Sequence, residues 1–402
     1  MLDLAGELRR WRDEGKDFAV ATVVGVQGSA PRQPGAALAL DRTGTVLGSV
    51  SGGCVEGAVH DLCERALDDG QAVLERFGFS DEDAFAVGLT CGGVIDVLVT
   101  PVLAAAGAGA LDDALDHAAA GRGVALVRVL DGLPDPGGRL LTVRQDGSVS
   151  GTLGGDPRLD EVAAAEAAAL LAVGRTGAVT LGADGSYCGR PVTLFVESSA
   201  PAPRLIVFGA NDFAAALTRI GVFLGYRVTV CDARPAFLTP ARFPGADEVV
   251  VDWPHRYLAG TDVDARTVLC VVTHDPKFDL PLLALALRLP VAYVGAMGSR
   301  RVHGERVARL REEGVTEAQL ARLASPIGLD LGGRTPQETA ISVAAQLVAG
   351  RHGGTGLPLA STGLPLHRPS SAPPVKAGKG DTAPPEMAAP DTRHPLGAGN
   401  SG

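Results

Sequence analysis

The chain has 402 residues, 46% of them hydrophobic and only 4% aromatic, with a formal net charge of −10. That length accommodates two domains with cores resting on Ala, Val and Leu, and the acidic balance argues against a nucleic-acid partner, which needs a concentrated basic face. No apolar run reaches the roughly 18 residues that span a bilayer, so no membrane segment is expected.

The opening stretch to Trp11 is acidic and amphipathic rather than laid out as a signal peptide. Six cysteines without regular spacing (54, 63, 91, 188, 231 and 270) fit free thiols in a reducing cytoplasm. Two of them stand in glycine-flanked motifs: Gly48-Ser-Val-Ser51-Gly52-Gly53-Cys54-Val-Glu56 and Leu89-Thr-Cys91-Gly92-Gly93. Glycine there lets backbone approach a ligand and permits a nest of N–H groups. Apolar residues at helical spacing run from Val55 to Leu67, which predicts Cys54 in the first turn of a helix, where the dipole favours thiolate. Gly28-Ser29-Ala-Pro31-Arg32 adds polar equipment nearby in sequence. The bland alternative is that both glycine doublets are only tight turns.

The pattern then repeats. Pro34–Leu38 recurs as Pro136–Leu140, and Asp41–Gly48 recurs as Arg144–Gly151. Ser51-Gly-Gly-Cys54 answers Leu153-Gly-Gly-Asp156, and Thr90–Val99 answers Tyr187–Val196. Two related halves, each a twisted sheet with a covering helix, are expected to pack about a pseudo-twofold axis within residues 1–198. The second half has Asp156 where Cys54 stands, and it keeps Cys188 but has Arg190 in place of the second glycine.

A Ser/Ala/Pro linker at 198–203 precedes strands alternating with helices over 204–350, which predicts a doubly wound parallel sheet. Its first turn, Gly209-Ala-Asn211-Asp-Phe-Ala214, and the acid Asp232 follow the layout of a dinucleotide-binding Rossmann unit. Asn211 puts a side chain where backbone should meet pyrophosphate, which argues against NAD(P). Later strand ends aim His274, Asp275 and Lys277 at the crevice, and Ser299, Arg300 and Arg301 open a helix that could hold an anion. His274 reads as a general base, a metal ligand or a packed loop histidine. Cys231 and Cys270 sit in apolar runs and read as core. Thr335-Pro-Gln-Glu338 is a capping box opening a helix to about Leu347, and residues 351–402 read as a disordered tail.

The expected fold class is therefore α/β: a mixed N-terminal domain of two duplicated halves, then a Rossmann-like domain. The motifs already quoted, with Thr273–Asp279, Gly298–Arg301 and Ser325–Asp330, resemble the XdhC/CoxI family over about residues 1–350. The resemblance implies an accessory protein rather than a catalyst. It would bind molybdenum cofactor (molybdopterin), hold it during sulfuration by a cysteine desulfurase, and deliver it to an apo molybdenum hydroxylase of xanthine dehydrogenase or carbon monoxide dehydrogenase type. Gly28, Ser29, Arg32, Ser51, Gly52, Gly53, Glu56, Gly92 and Gly93 would then line the cofactor site, with Cys54 or Cys91 meeting molybdenum through the bound cofactor. A homodimer is the simplest assembly. Two rival readings are an NAD(P)-dependent oxidoreductase using His274 and Lys277, and an adaptor joining desulfurase to target.

Overall fold

The computed structural model describes residues 1–78, 92–105, 109–133 and 139–363. The first half runs α1 (Ala5–Asp13), β1 (Phe18–Gln27), β2 (Ala37–Asp41), β3 (Val46–Gly48), α2 (Glu56–Asp69), β4 (Val73–Phe77) and β5 (Val94–Val102). The second repeats that order as α3 (Ala110–Ala119), β6 (Val124–Asp131), β7 (Leu140–Arg144), β8 (Val149–Gly151), α4 (Pro157–Ala172), β9 (Gly177–Gly182) and β10 (Pro191–Ser199). The two antiparallel sheets have the same strand order, β3-β2-β1-β5-β4 and β8-β7-β6-β10-β9, as the duplication predicts.

Each half buries a helix on its own sheet. In α4 the buried residues are Leu159, Ala163, Ala167 and Leu171, one stripe at a spacing of four. In α2, Val59, Leu62, Cys63, Ala66 and Leu67 cover the first sheet. Cys63 is thus a core residue, and burial pushes its thiol up to about 12.

Between the halves, equivalent residues meet. Thr22 pairs in register with Leu98 in the first sheet, and Arg128 pairs with Phe195 in the second. Val24 and Leu130 are the bulged residues of β1 and β6, each skipped by its neighbour's register. Val24, Leu98, Leu130 and Phe195 form one cluster. Contact between a residue and its own counterpart is the signature of an isologous interface, so a pseudo-twofold relates the halves. Helices α1 and α3 share a second cluster there, which includes Leu8, Trp11, Ala114 and Leu115.

The interface also buries a charge cluster. Arg128 Nη2 donates to Glu197 Oε2 at 2.5 Å, and its Nη1 donates to Thr22 Oγ1 at 3.2 Å. The Leu2 N–H donates to Glu197 Oε1 at 2.6 Å. Both charged side chains are almost fully enclosed.

Glycines set the turns that make the halves alike. Gly48 has φ +73°, and a Cβ there would stand 2.2 Å from the Ala37 carbonyl oxygen; Gly151 has φ +85° and would meet the Leu140 oxygen at the same 2.2 Å. Gly48→Ala is expected to cost about 2 kcal/mol or more, combining left-handed strain with the clash. A lowered urea midpoint with unchanged slope would register it.

The rest of the chain forms β11 (Arg204–Phe208), α5 (Asp212–Phe223), β12 (Arg227–Asp232), β13 (Glu248–Val251), α6 (Pro254–Gly260), β14 (Val268–Val271), α7 (Pro276–Ala286), β15 (Tyr293–Ala296), α8 (Arg300–Glu312), α9 (Glu317–Leu320), β16 (Leu323–Ala324) and α10 (Pro336–His352). All of the strands pair in parallel in the order β13-β12-β11-β14-β15-β16. Residues of α5 and α10 pack on one face and residues of α6, α7 and α8 on the other, so the sheet is doubly wound. The strand order reverses between β11 and β14, where a crevice must open. Helix α10 keeps its capping box at Thr335 and Glu338 but continues to His352, five residues past the expected end; Gly353 at φ +66° stops it. Residues 359–361 form a further short turn, and 364–402, most of the expected tail, lie outside the described residues. Among the described residues no helix is long and apolar enough to cross a membrane.

Candidate functional site

Three loops leave the same end of the first sheet: the one after β1, the one between β3 and α2, and the one that enters β5. Antiparallel pairing puts the carboxyl ends of β1 and β3 beside the amino end of β5. The first and third loops interlock. A Cβ on Gly93 would stand 2.0 Å from the Ser29 carbonyl oxygen, and one on Gly28 would stand 3.6 Å from Gly93 Cα. Gly93 is therefore required by close backbone approach, and Gly28, at φ +71°, by conformation. Gly92 is exposed beside them. Cys91 lies outside the described residues.

The second loop is organised by Glu56. Its Oε1 accepts from the Ser49 hydroxyl at 2.7 Å and from the Ser51 and Gly52 amides, each at 2.9 Å. Its Oε2 accepts from the Gly53 amide at 2.7 Å and from the Ser51 hydroxyl. Ser51 Oγ in turn accepts from the Cys54 and Val55 amides at 3.0 and 3.1 Å. So many donors outweigh the cost of partial burial and hold the Glu56 carboxyl down at about 2.

Two expectations change here. Cys54 is not in the first turn of the helix: α2 begins at Glu56, and Cys54 precedes its N-cap, Val55. The amides of Ser51, Gly52 and Gly53 are not open to an external anion either, because the chain's own carboxylate fills that nest. What the loop offers is a half-buried Cys54, packed against the core and carried on backbone tied down from both sides.

The second half shows how special this is. Gly48 and Gly151 are equivalent, and Val50 and Leu153 are both core residues two positions on. Gly154 therefore stands at the position of Ser51, and the two Gly-Gly doublets are offset by one residue. Asp160 does a smaller version of the job of Glu56, accepting from the Thr152 hydroxyl at 2.6 Å and the Leu153 amide at 2.9 Å. Arg32 is exposed and lines a different cleft, of about 330 Å³, with Pro31, Gln33, Thr176, Glu197 and Ser198.

A larger crevice of about 510 Å³ opens at the switch point of the parallel sheet. Asn211 fills its phosphate corner: Nδ2 donates to the Val272 carbonyl at 2.8 Å, and Oδ1 accepts from the Ala214 amide at 3.0 Å as the cap of α5. Asp232 is buried and occupied, accepting from the Ala210 amide at 2.8 Å, the Arg234 amide at 2.9 Å, and Arg234 Nε and Nη2 at 2.9 and 2.8 Å. It has no oxygen left for a ribose diol. Gly209 is needed at φ +125°, since a Cβ would stand 3.1 Å from the Thr273 nitrogen. Asn211→Ala is expected to cost about 1–2 kcal/mol by removing a helix cap and the tie to β14, read as a lowered urea midpoint.

His274 is exposed and lines this crevice, Asp275 caps α7 through the Lys277 amide, and Lys277 reaches back to Asp275 at 3.2 Å. The α8 group falls elsewhere. Ser299 caps its own helix, Arg301 pairs with Glu305 at 2.6 Å, and Arg300 is exposed; none of the three lines the crevice.

Sequence reasoning missed the group beneath the crevice floor. Arg306 Nη2 donates to Asp279 Oδ2 at 3.0 Å and to the Met297 carbonyl at 3.0 Å, Nη1 donates to Ser325 Oγ at 3.1 Å, and the Thr273 hydroxyl donates to Asp279 Oδ1. Burial holds the Asp279 carboxyl above its ordinary value despite these donors. It also missed Ser49, Arg234 and Arg242. An Arg two residues after the strand-end acid was a readable signal for the second; an arginine inside the surface-like pattern of α8 gave none.

Two family models match. One describes the XdhC Rossmann domain and covers residues 205–347; the other describes the XdhC and CoxI family and covers residues 11–78. Among similar proteins, the uncharacterized protein YqeB of Escherichia coli is 31% identical over 227 residues, 54% of this chain but 41% of that protein's length. A probable xanthine dehydrogenase subunit of Bacillus subtilis is 25% identical over 84% of this chain and 94% of its own. The molybdenum cofactor insertion chaperone PaoD of Escherichia coli is 25% identical over 84% of both. A crystal structure of a xanthine dehydrogenase from Bacillus halodurans superposes with a TM-score of 0.62 at 25% identity, over 89% of this chain and 98% of that one. With both family models matched in order along the chain, and with the duplicated α/β sheets and the Rossmann sheet in place, this protein belongs to the XdhC and CoxI family.

Proposed function

We propose that this protein binds molybdenum cofactor, holds it while a cysteine desulfurase sulfurates it, and inserts it into a cytoplasmic molybdenum hydroxylase of xanthine dehydrogenase or carbon monoxide dehydrogenase type. The observation that carries the reading is the Cys54 loop, whose backbone is fixed by Ser51 and Glu56 before any cargo arrives. A soft thiolate suits molybdenum, and preorganised backbone spares the binding step an ordering cost. The likeness to PaoD over 84% of both chains supports the same class of cargo.

In this reading residues 1–198 handle the cofactor, with Cys54 or Cys91 contacting molybdenum through its thiolate and the Gly28-Ser29 and Gly92-Gly93 loops, packed backbone against backbone, framing the site. Because Glu56 fills the amide nest, the phosphate arm of the cofactor must find its donors elsewhere, and exposed Arg32 is the candidate. The reduced protein, incubated anaerobically with molybdenum cofactor, is expected to retain about one molybdenum per chain. Cys54→Ser or Cys91→Ser should lose it with the fold intact by circular dichroism. Stoichiometric loading in both variants would remove the thiols from the site, and no loading of the wild type would remove the reading.

A further inference from the structure

The crevice of the parallel sheet has no part in the cofactor loops, yet it is built to hold something. We infer that it binds a planar heterocycle carrying a phosphate monoester, the chemistry of a mononucleotide, and that it refuses a dinucleotide.

The carrier is Arg234. Asp232 grips its guanidinium edge through Nε and Nη2, and the Phe237 ring lies 5.1 Å from the guanidinium carbon. A guanidinium that is half exposed, fixed in plane and bordering a crevice of about 510 Å³ is a ready stacking plate for a flat ring. The volume falls within the range of small-ligand pockets. Arg242 stands in the same wall. It is engaged by the Phe237 carbonyl at 3.0 Å, by a 3.5 Å approach to the well-exposed Asp212 and by the Phe243 ring 5.9 Å from its guanidinium carbon, which leaves N–H groups for a phosphate. Phe278 adds apolar wall.

The same geometry excludes pyrophosphate. The Ala210 amide is spent on Asp232, and the Asn211 side chain bridges the glycine turn to β14 where a second glycine would let the diphosphate approach. Asp232, closed by Arg234, cannot take the ribose diol on which a dinucleotide site relies. A single phosphate reaching toward Arg242 needs neither.

Calorimetric titration of the full chain with AMP, NAD⁺ and inorganic phosphate tests this. AMP should bind saturably, NAD⁺ at least tenfold more weakly, and phosphate alone without saturation over the same range. Arg234→Lys keeps the charge and loses the plane, and should weaken AMP at least tenfold. Arg242→Ala, at a partly exposed position, should do the same with an unchanged melting temperature. Absence of AMP binding, AMP affinity unchanged in both variants, or NAD⁺ binding as tightly as AMP would each overturn the inference. Repeating the AMP titration on protein loaded with molybdenum cofactor distinguishes the source of the ligand. Unchanged AMP affinity assigns the crevice to a free nucleotide; loss of AMP binding assigns it to the cofactor's own pterin phosphate. Failure of AMP to bind leaves molybdenum loading at the Cys54 loop untouched, so the two readings fail separately.

Discussion

Arg128→Met is expected to destabilise the protein by about 3 kcal/mol, because it takes the guanidinium from a Glu197 carboxylate buried between the two halves and leaves it the Met1 ammonium, 2.5 Å from Oε1. The double variant Arg128→Met/Glu197→Gln should recover only part of that loss, since a carboxamide at position 197 can still accept from the Leu2 amide but leaves the buried Met1 ammonium without its carboxylate. Urea denaturation of the wild type, Arg128→Met, Glu197→Gln and the double variant reads the cycle directly. The pH dependence sharpens it. Burial pushes the Glu197 carboxyl up, but the neighbouring ammonium and guanidinium more than offset this and hold it below its ordinary value. An acid lowered on folding stabilises the native state above its unfolded pKa and loses that contribution as pH falls through the folded one. Without Arg128 the carboxyl rises, so the variant gains relative to wild type on acidification. The gap should narrow as pH falls through the variant's raised carboxyl pKa; a gap that does not change on acidification would mean the loss is one of packing against Phe195 rather than of charge.

The duplication is legible because its signals are steric. A turn that brings backbone within 2.2 Å of where a Cβ would be must use glycine, so Gly48 and Gly151 mark the same corner twice. The parallel sheet is legible because strands buried on both faces read as apolar runs between helices. What stays hidden is partnership over distance. Arg128 and Glu197 stand 69 residues apart, and Asp279 and Arg306 stand 27 apart. Each sits in a stretch whose periodicity announces a strand or helix, and periodicity does not say which charge meets which.

The site is legible in its residues and misleading in its wiring. Cys54, Glu56 and the glycines stand out by type and spacing, and an N–H nest beside them invites an anion. The sequence contains that anion three residues past the second glycine, but a glutamate at the start of a helix reads first as a helix-terminus charge. Similarly, the repeated Gly-Gly doublet pulls the two halves one residue out of register and hides Ser51, whose hydroxyl organises the loop and whose place Gly154 takes in the second half. At the parallel sheet, Asp232 and Asn211 stand out by position. Their side chains are consumed by Arg234 and Val272, which is a fact of geometry that composition does not carry.

Glu56→Gln is the variant expected to do most damage to function for its size. The carboxylate accepts from three amides and two hydroxyls; a carboxamide of the same shape must turn an NH₂ toward some of those donors, so part of the nest is left unpaired or repelled. With the nest loosened, Ser51 loses its fixed position, and with it go the bonds that hold the Cys54 and Val55 amides. Molybdenum loading should fall at least tenfold while the two sheets stay folded. The stability cost should be modest, about 1–2 kcal/mol, because Glu56 is only half-buried and solvent screens part of its depressed pKa. Held at about 2 against an ordinary 4.5, the carboxylate contributes its full share above pH 4.5 and loses it as pH falls toward 2, whereas the Gln variant has no such dependence. Asp160→Asn in the second half is the matched control, cutting bonds to Thr152 and Leu153 in a loop without a cysteine. It should leave molybdenum loading unchanged. If Asp160→Asn reduced loading as much as Glu56→Gln, the two loops would be serving the sheets and not the sulfur; if only Glu56→Gln did, the carboxylate is there to hold Cys54 in place.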